Sequence, residues 1–120
     1  MSDQNQKVQN QENEIAVPIE VQQKAALYGI ASVLVGTGKV PNKKSVKGYV
    51  KCLRREVIAE IGPLGGEELL MQNKQAVEGI FAGIRKNPTI SKADRKNFIS
   101  KAVDDLYISY TIGIYKLYGG

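Results

Sequence analysis

The sequence contains no histidine, no tryptophan and one cysteine, Cys52. Without histidine the commonest general base near neutral pH is missing, and so is every His-based triad. A single thiol with no imidazole also excludes the usual zinc constellations, which take several such ligands. Cys52 can form no internal disulfide, which suits a reducing compartment. No apolar run approaches the roughly 18 residues of a membrane span. Met1 to Glu14 is rich in Gln, Asn, Asp and Glu, with neither the basic start nor the apolar stretch of a signal peptide. These absences predict a protein without cofactor or metal, not secreted by a signal peptide, that works inside a cell or leaves it by another route.

What is present suits a single folded domain. A chain of 120 residues has room for one modest core, and 42% apolar with 24% charged residues argues against wholesale disorder. The net charge of +5 understates a strong segregation. From Lys39 to Arg55 there are seven Lys/Arg and no acid, and from Arg85 to Lys101 six Lys/Arg against Asp94 alone. The remainder carries four bases against eleven acids. Two basic blocks set in an acidic chain form surfaces that attract polyanions.

Hydrophobic periodicity and breakers divide the chain into an arm and four helices. Residues 1–17 read as an extended polar arm. Residues 18–120 read as one helical domain. A first helix over about Glu20–Val35 carries Leu27, Ile30, Ala31 and Leu34, widened by Ala26, Val33 and Val35, and stops at Gly36-Thr37-Gly38. A second, capped by Asn42 or Ser45 and running to Ile61, has a core stripe of Val46, Tyr49, Val50, Leu53, Val57 and Ile61. Gly62 to Gly66 is expected to interrupt the chain. A third helix, Gly66–Lys86, then places Glu67 and Glu68 in its first turn and Arg85 and Lys86 in its last, both favourable to the helix dipole. Its inward side reads Leu69, Leu70, Ala76, Val77, Ile80, Phe81 and Ile84. After Asn87-Pro88, Ser91 is an N-cap with Asp94 three residues on. The fourth helix sends Phe98, Ile99, Ala102, Val103 and Leu106 inward. The expected fold is therefore all-α: an extended N-terminal arm plus an antiparallel bundle of about four helices.

The last fifteen residues, LYISYTIGIYKLYGG, carry one charge, Lys116, and four of the six tyrosines. Read as a strand they place Leu106, Ile108, Tyr110, Ile112 and Ile114 on one face. A lone strand with nothing to pair with is unstable, so continuation of the fourth helix is preferred. A helix apolar all round exceeds what a small bundle can cover. Tyr107, Tyr110, Ile112, Ile114, Tyr115, Leu117 and Tyr118 are accordingly expected at a subunit interface, with closure of the bundle's own core as the alternative.

Catalytic motifs fail on inspection. Gly36-Thr37-Gly38-Lys39 lacks the Walker loop's first glycine, where Val33 stands, and its magnesium-binding hydroxyl, where Val40 stands. It reads as a helix-ending turn. The carboxylate pairs Glu56 with Glu60, Glu67 with Glu68, and Asp104 with Asp105 read as solvated or dipole-facing positions rather than a catalytic pair. Cys52 sits beside Lys51 and near Arg55, which would lower its pKa, but without a histidine it reads as a half-buried core residue. No enzyme is expected.

The basic blocks are the informative feature. Lys43, Lys44, Lys47, Lys51, Arg54 and Arg55 make a row along the second helix that, with Lys39 just ahead of it, can neutralise several phosphates and release their counterions. Arg85, Lys86, Lys92, Arg95 and Lys96 form a second group at a helix–helix junction, where exposed amides would add to the attraction. No aromatic interrupts the row, and Asn and Gln are scarce in it. Base stacking and base-specific readout are thus not indicated, and sequence-independent contact with a duplex backbone is. No helix-turn-helix is present, because the third helix is not basic.

This layout of polar arm, four-helix bundle, basic helical faces and apolar tyrosine-bearing C-terminus resembles the coat proteins of filamentous and rod-shaped archaeal viruses. The resemblance implies a virion structural protein whose copies wrap double-stranded DNA. It places Lys44, Lys47, Lys51, Arg54 and Arg55 against phosphates, with the arm and tail between subunits. A polar arm carrying only Lys7 departs from that pattern, since an arm lying on DNA would be more basic. The leading expectation is a self-assembling homo-oligomer, possible as a filament, that packages nucleic acid. The second is a small regulator or inhibitor that binds another protein through its basic face.

Overall fold

A computed structural model describes residues 17–119, which form four helices: α1 (Ile19–Thr37), α2 (Lys43–Ile61), α3 (Pro63–Lys86) and α4 (Lys92–Tyr118). The arm expected at residues 1–17 lies, apart from Val17, outside the described residues. The bundle runs up-down-up-down. Near the start of α1, Lys24 meets Glu56 late in α2, and Gly29 of α1 abuts Asn73 of α3. Leu27 of α1 meets Gly113 near the end of α4. The shortest dimension, 22 Å, corresponds to two helix diameters.

α1 is the central element because most of its length carries no charge and can be packed on by all three other helices, though Ala26, expected to widen its inward stripe, is exposed. Its two charged residues, Glu20 and Lys24, sit in its first turns, and no charge follows until Lys39. Ala25, Ala31 and Leu34 are fully enclosed. Around Ala31 and Leu34 pack Leu53 and Val46 of α2, Val77 and Phe81 of α3, and Val103, Tyr110 and Ile114 of α4. A second cluster of Val21, Ala25, Val57 and Leu70 closes the opposite end. Gly29 lets two backbones touch: a Cβ there would lie 2.7 Å from the carbonyl carbon and oxygen of Asn73. Only hydrogen fits at such a crossing.

The turns follow from their residues, with some differences from expectation. Gly38 takes φ 70° and returns its N–H to Val35, while the Thr37 hydroxyl donates to the Leu34 carbonyl at 2.7 Å. The Gly-Thr-Gly-Lys segment is thus the helix-ending turn that its failed motif implied. Neither Asn42 nor Ser45 caps α2: Asn42 occupies the N-cap position but adopts φ 55° and makes no side-chain cap bond. Gly62 alone breaks α2 from α3, at φ 90° and ψ 163°, a conformation open essentially to glycine. Pro63 follows as the first helical residue, where its missing N–H costs nothing. α3 therefore begins three residues earlier than expected, and Glu67 and Glu68 fall in its second turn. Ser91 caps α4 as predicted, accepting from the Asp94 N–H at 3.1 Å.

The apolar tail is helical through Tyr118, because α2 supplies partners for its inner face. Tyr49 of α2 stands edge-on to Tyr110, with centroids 6.4 Å apart, and stacks obliquely on Tyr118 at 5.5 Å. Aromatic pairs at such separations add attraction beyond the area they bury. The start of α4 packs less closely: Ile80 and Phe98, expected inside, are about half exposed, and Ala76 is exposed too. The wall between α3 and α4 stands open there.

A candidate nucleic-acid interface

α2 positions its basic row by burying the opposite face. Val46, Leu53 and Val57 are at most 1% exposed, which fixes the helix's rotation about its axis. At 100° per residue, Lys44, Lys47, Lys51 and Arg55 fall within an arc of roughly 80° on the outer side. All four are exposed, and among the described residues none enters an ion pair. The row extends for about 16 Å at 1.5 Å per residue. Lys43 begins the helix beside it, exposed as well.

Arg54 differs from its neighbours. Its guanidinium forms a paired contact with the Glu67 carboxylate of α3, and that bond, with the carboxylate's charge, raises its pKa. It holds α2 to α3 rather than standing free. The first turn expected for Glu67 is not where this residue acts.

The second block divides in the same way. Arg85, Lys86, Lys92 and Lys96 are exposed. Arg95 is not available to a ligand in the way expected: it is half-buried, its Nη2 donates to the Asn87 carbonyl at 2.7 Å, and its Nε is enclosed without a partner. A guanidinium turned inward to satisfy a carbonyl of the α3–α4 turn is structural. Arg85 and Lys96 instead meet Lys39 across an open cleft between α1, α3 and α4, joined there by Lys74. The rest of the first block does not line this cleft. The blocks thus present two surfaces, the α2 row and the cleft. Lys74 escaped the sequence reading because it lies outside both blocks; the signal was its place on one α3 face with Glu78, Phe81 and Arg85, at i, i+4, i+7 and i+11.

The expected subunit interface also requires correction. Tyr110 and Ile114, at 5% and 7% exposure, belong to the bundle's own core. Tyr107, Leu117 and Tyr118 are half-buried against the same cluster. What α4 leaves outside is Ile108, Ile112 and Tyr115, at 56%, 50% and 66% exposure. Their spacing of four and three residues puts them on one stripe. Among the described residues no helix is long and apolar enough to cross a membrane.

A polar junction that the sequence did not reveal ties the bundle together. Glu56 of α2 accepts from Lys24 Nζ of α1 at 2.8 Å, from the Cys52 thiol at 2.7 Å and from the Tyr118 hydroxyl of α4 at 3.1 Å. Burial pushes its carboxyl up, but the bonds from Cys52, Lys24 and Tyr118 outweigh this and hold it below the usual range. The bond to Glu56 and then burial raise the Cys52 pKa. The thiol is half-buried, as expected, and its shift runs against the lowering that Lys51 and Arg55 could produce: it is a donor within the fold rather than an activated nucleophile.

No protein-family model matches the chain, and no curated protein sequence or solved structure matches it either.

Proposed function

We propose that this chain is a structural protein that binds the backbone of duplex nucleic acid without sequence preference and assembles with its own copies along it. The observation that carries the reading is the α2 row: Lys44, Lys47, Lys51 and Arg55, all exposed and, among the described residues, in no ion pair, on a helix locked into the core behind them. A helix fixed in this way holds the stems of its charged side chains in register, so that only the side chains themselves are ordered on binding, and its length of about 16 Å matches four to five base-pair rises of 3.4 Å. The stripe Ile108, Ile112 and Tyr115 supports the assembly half, since exposed apolar side chains in line favour contact with another protein surface. A head-to-tail contact that does not close on itself would repeat the basic row along a filament. The layout shared with coat proteins of filamentous archaeal viruses belongs to the same proposal, with double-stranded DNA as the packaged polymer.

Binding of the purified protein to a random-sequence DNA duplex over a salt series tests it. The expected log–log slope is about −3.6 or steeper, corresponding to four or more neutralised phosphates, and Lys47→Glu/Lys51→Glu abolishes binding. Sedimentation in the presence of DNA should show complexes larger than one copy. Absence of binding at low salt overturns the nucleic-acid half, and a monomer with and without DNA at near-physiological salt overturns assembly.

A further inference from the structure

The open wall between α3 and α4 forms a cleft of about 880 Å³. That is in the range of small-ligand sites. Its α3 wall carries Lys74, Glu78, Phe81 and Arg85; its α4 wall carries Lys96, Ser100 and Asp104. The end of α1 and the turn after it contribute Ser32, Thr37 and Lys39. Four cations face two carboxylates, and among the described residues none of the six is committed to an ion pair. Ser32 Oγ is enclosed without a hydrogen-bond partner. The floor, by contrast, is apolar, made by Phe81, Val33 and Val103.

We propose that this cleft binds a phosphorylated nucleoside. The surplus of two positive charges matches a phosphate monoester, which carries about −1.5 to −2 at neutral pH. Glu78 and Asp104 supply the acceptors that sugar hydroxyls and ring amines require, and the apolar floor takes the face of a base. A simple inorganic anion would leave those carboxylates and that floor unused. The Gly36-Thr37-Gly38-Lys39 turn therefore lines a phosphate site without being a Walker loop: Thr37 spends its hydroxyl on the Leu34 carbonyl, and Lys39 is the phosphate's partner. The unit has two sources, a free nucleotide or a terminal nucleotide of a strand. The proposal uses different residues from the α2 row and stands whether or not that row meets duplex.

Gly36 permits a test by volume rather than charge. It lies in the last turn of α1 beside the cleft, and a Cβ there would meet nothing within 4 Å. Gly36→Leu therefore fills the site from one side with the core untouched. Adenosine 5′-monophosphate and a 5′-phosphorylated single-stranded pentanucleotide are each titrated into the full chain and followed by amide NMR. The expected result is saturable shifts at Thr37, Gly38 and Lys39, with affinity at least tenfold weaker in Gly36→Leu. Saturation by the mononucleotide identifies a free nucleotide as the ligand, and saturation by the pentanucleotide alone identifies a strand end. Lys39→Gln/Lys96→Gln, at two exposed positions, should give the same loss and serves should Gly36→Leu fail to fold. Failure of both probes to bind at millimolar concentration overturns the proposal, as does binding that the folded variants leave unchanged, or inorganic phosphate binding as tightly as the nucleotide.

Discussion

Tyr118 donates its hydroxyl to Glu56 across 3.1 Å, joining the last turn of α4 to the later part of α2, 62 residues away in sequence. Through the same carboxylate the bond reaches Lys24 of α1, whose side chain is only 14% exposed. Three of the four helices therefore meet at one acceptor. Glu56→Gln should lower stability by about 1–3 kcal/mol at neutral pH, because Lys24 then keeps a partly buried charge with a weaker partner. The folded carboxyl titrates below its unfolded value, so its contribution is full above roughly pH 4.3 and fades as pH falls through the folded value. Chemical denaturation of the wild type and the variant across pH 2–7 should show the two curves converging at the acid end. Parallel curves would mean that Glu56 holds the junction by shape alone.

The tyrosine cluster predicts a signal at the other end of the pH scale. Burial, reinforced by Tyr49 and Tyr107, pushes the Tyr110 hydroxyl up to about 12. Burial and its bonds to Cys52 and Glu56 raise Tyr118 as well. A group whose pKa is raised on folding stabilises the fold below its unfolded value, near 10, and that contribution drains away as pH rises beyond it. Ultraviolet titration should therefore show Tyr110 and Tyr118 ionising late, together with loss of helix. Replacement of Tyr110 with Phe should remove one late step, leave that of Tyr118, and cost little stability, since among the described residues no hydroxyl bond is lost.

Two glycines at apparently similar helical positions should respond in opposite ways. Gly29→Ala drives a Cβ to 2.7 Å from the Asn73 backbone, which no rotamer can relieve. Separation of α1 from α3 at the centre of the bundle should cost on the order of 3 kcal/mol or more. Gly48, on the outside of α2, has nothing within 4 Å. Gly48→Ala should stabilise by about 0.5–1 kcal/mol through helix propensity and a smaller unfolded-state entropy. Thermal unfolding of the two variants separates them cleanly.

This contrast shows why helices were legible in the sequence while the site was only half so. The stripe Val46, Leu53 and Val57 repeats locally, so periodicity alone orients the α2 row. Gly29, Glu56 and Tyr118 act through partners on other helices 32 to 62 residues distant, and no local pattern records such a meeting. The sequence places Tyr110 and Ile114 at a subunit contact for the same reason: it shows an apolar helix but not that Tyr49 stands on α2 to cover Tyr110. Arg95 carries the charge of its block, yet its direction is set by a carbonyl of the neighbouring turn.

Exposure of the remaining tail residues makes a prediction about assembly. Ile112→Lys lies on the outer stripe, so it should leave the melting temperature within about the change expected of a surface substitution, roughly ±0.5 kcal/mol. Analytical ultracentrifugation with and without duplex should then show loss of the larger species, with binding of a short duplex retained. Unchanged sedimentation would exclude the stripe from the contact.

The difference between Arg54 and Arg55 gives a prediction that surface charge alone would not. The two are adjacent and equally cationic, but Arg54 is engaged by Glu67 while Arg55 is in no ion pair among the described residues. Arg55→Ala should therefore weaken duplex binding and flatten the salt slope by about 0.9, one phosphate's worth. Arg54→Ala should change the slope less. Glu67→Gln should do the reverse of both, releasing Arg54 to the row and steepening the slope. Anisotropy titrations of the three variants against the same duplex decide the matter. An identical loss for both arginines, with no gain from Glu67→Gln, would mean that polyanion binding follows net charge and owes nothing to the arrangement of α2.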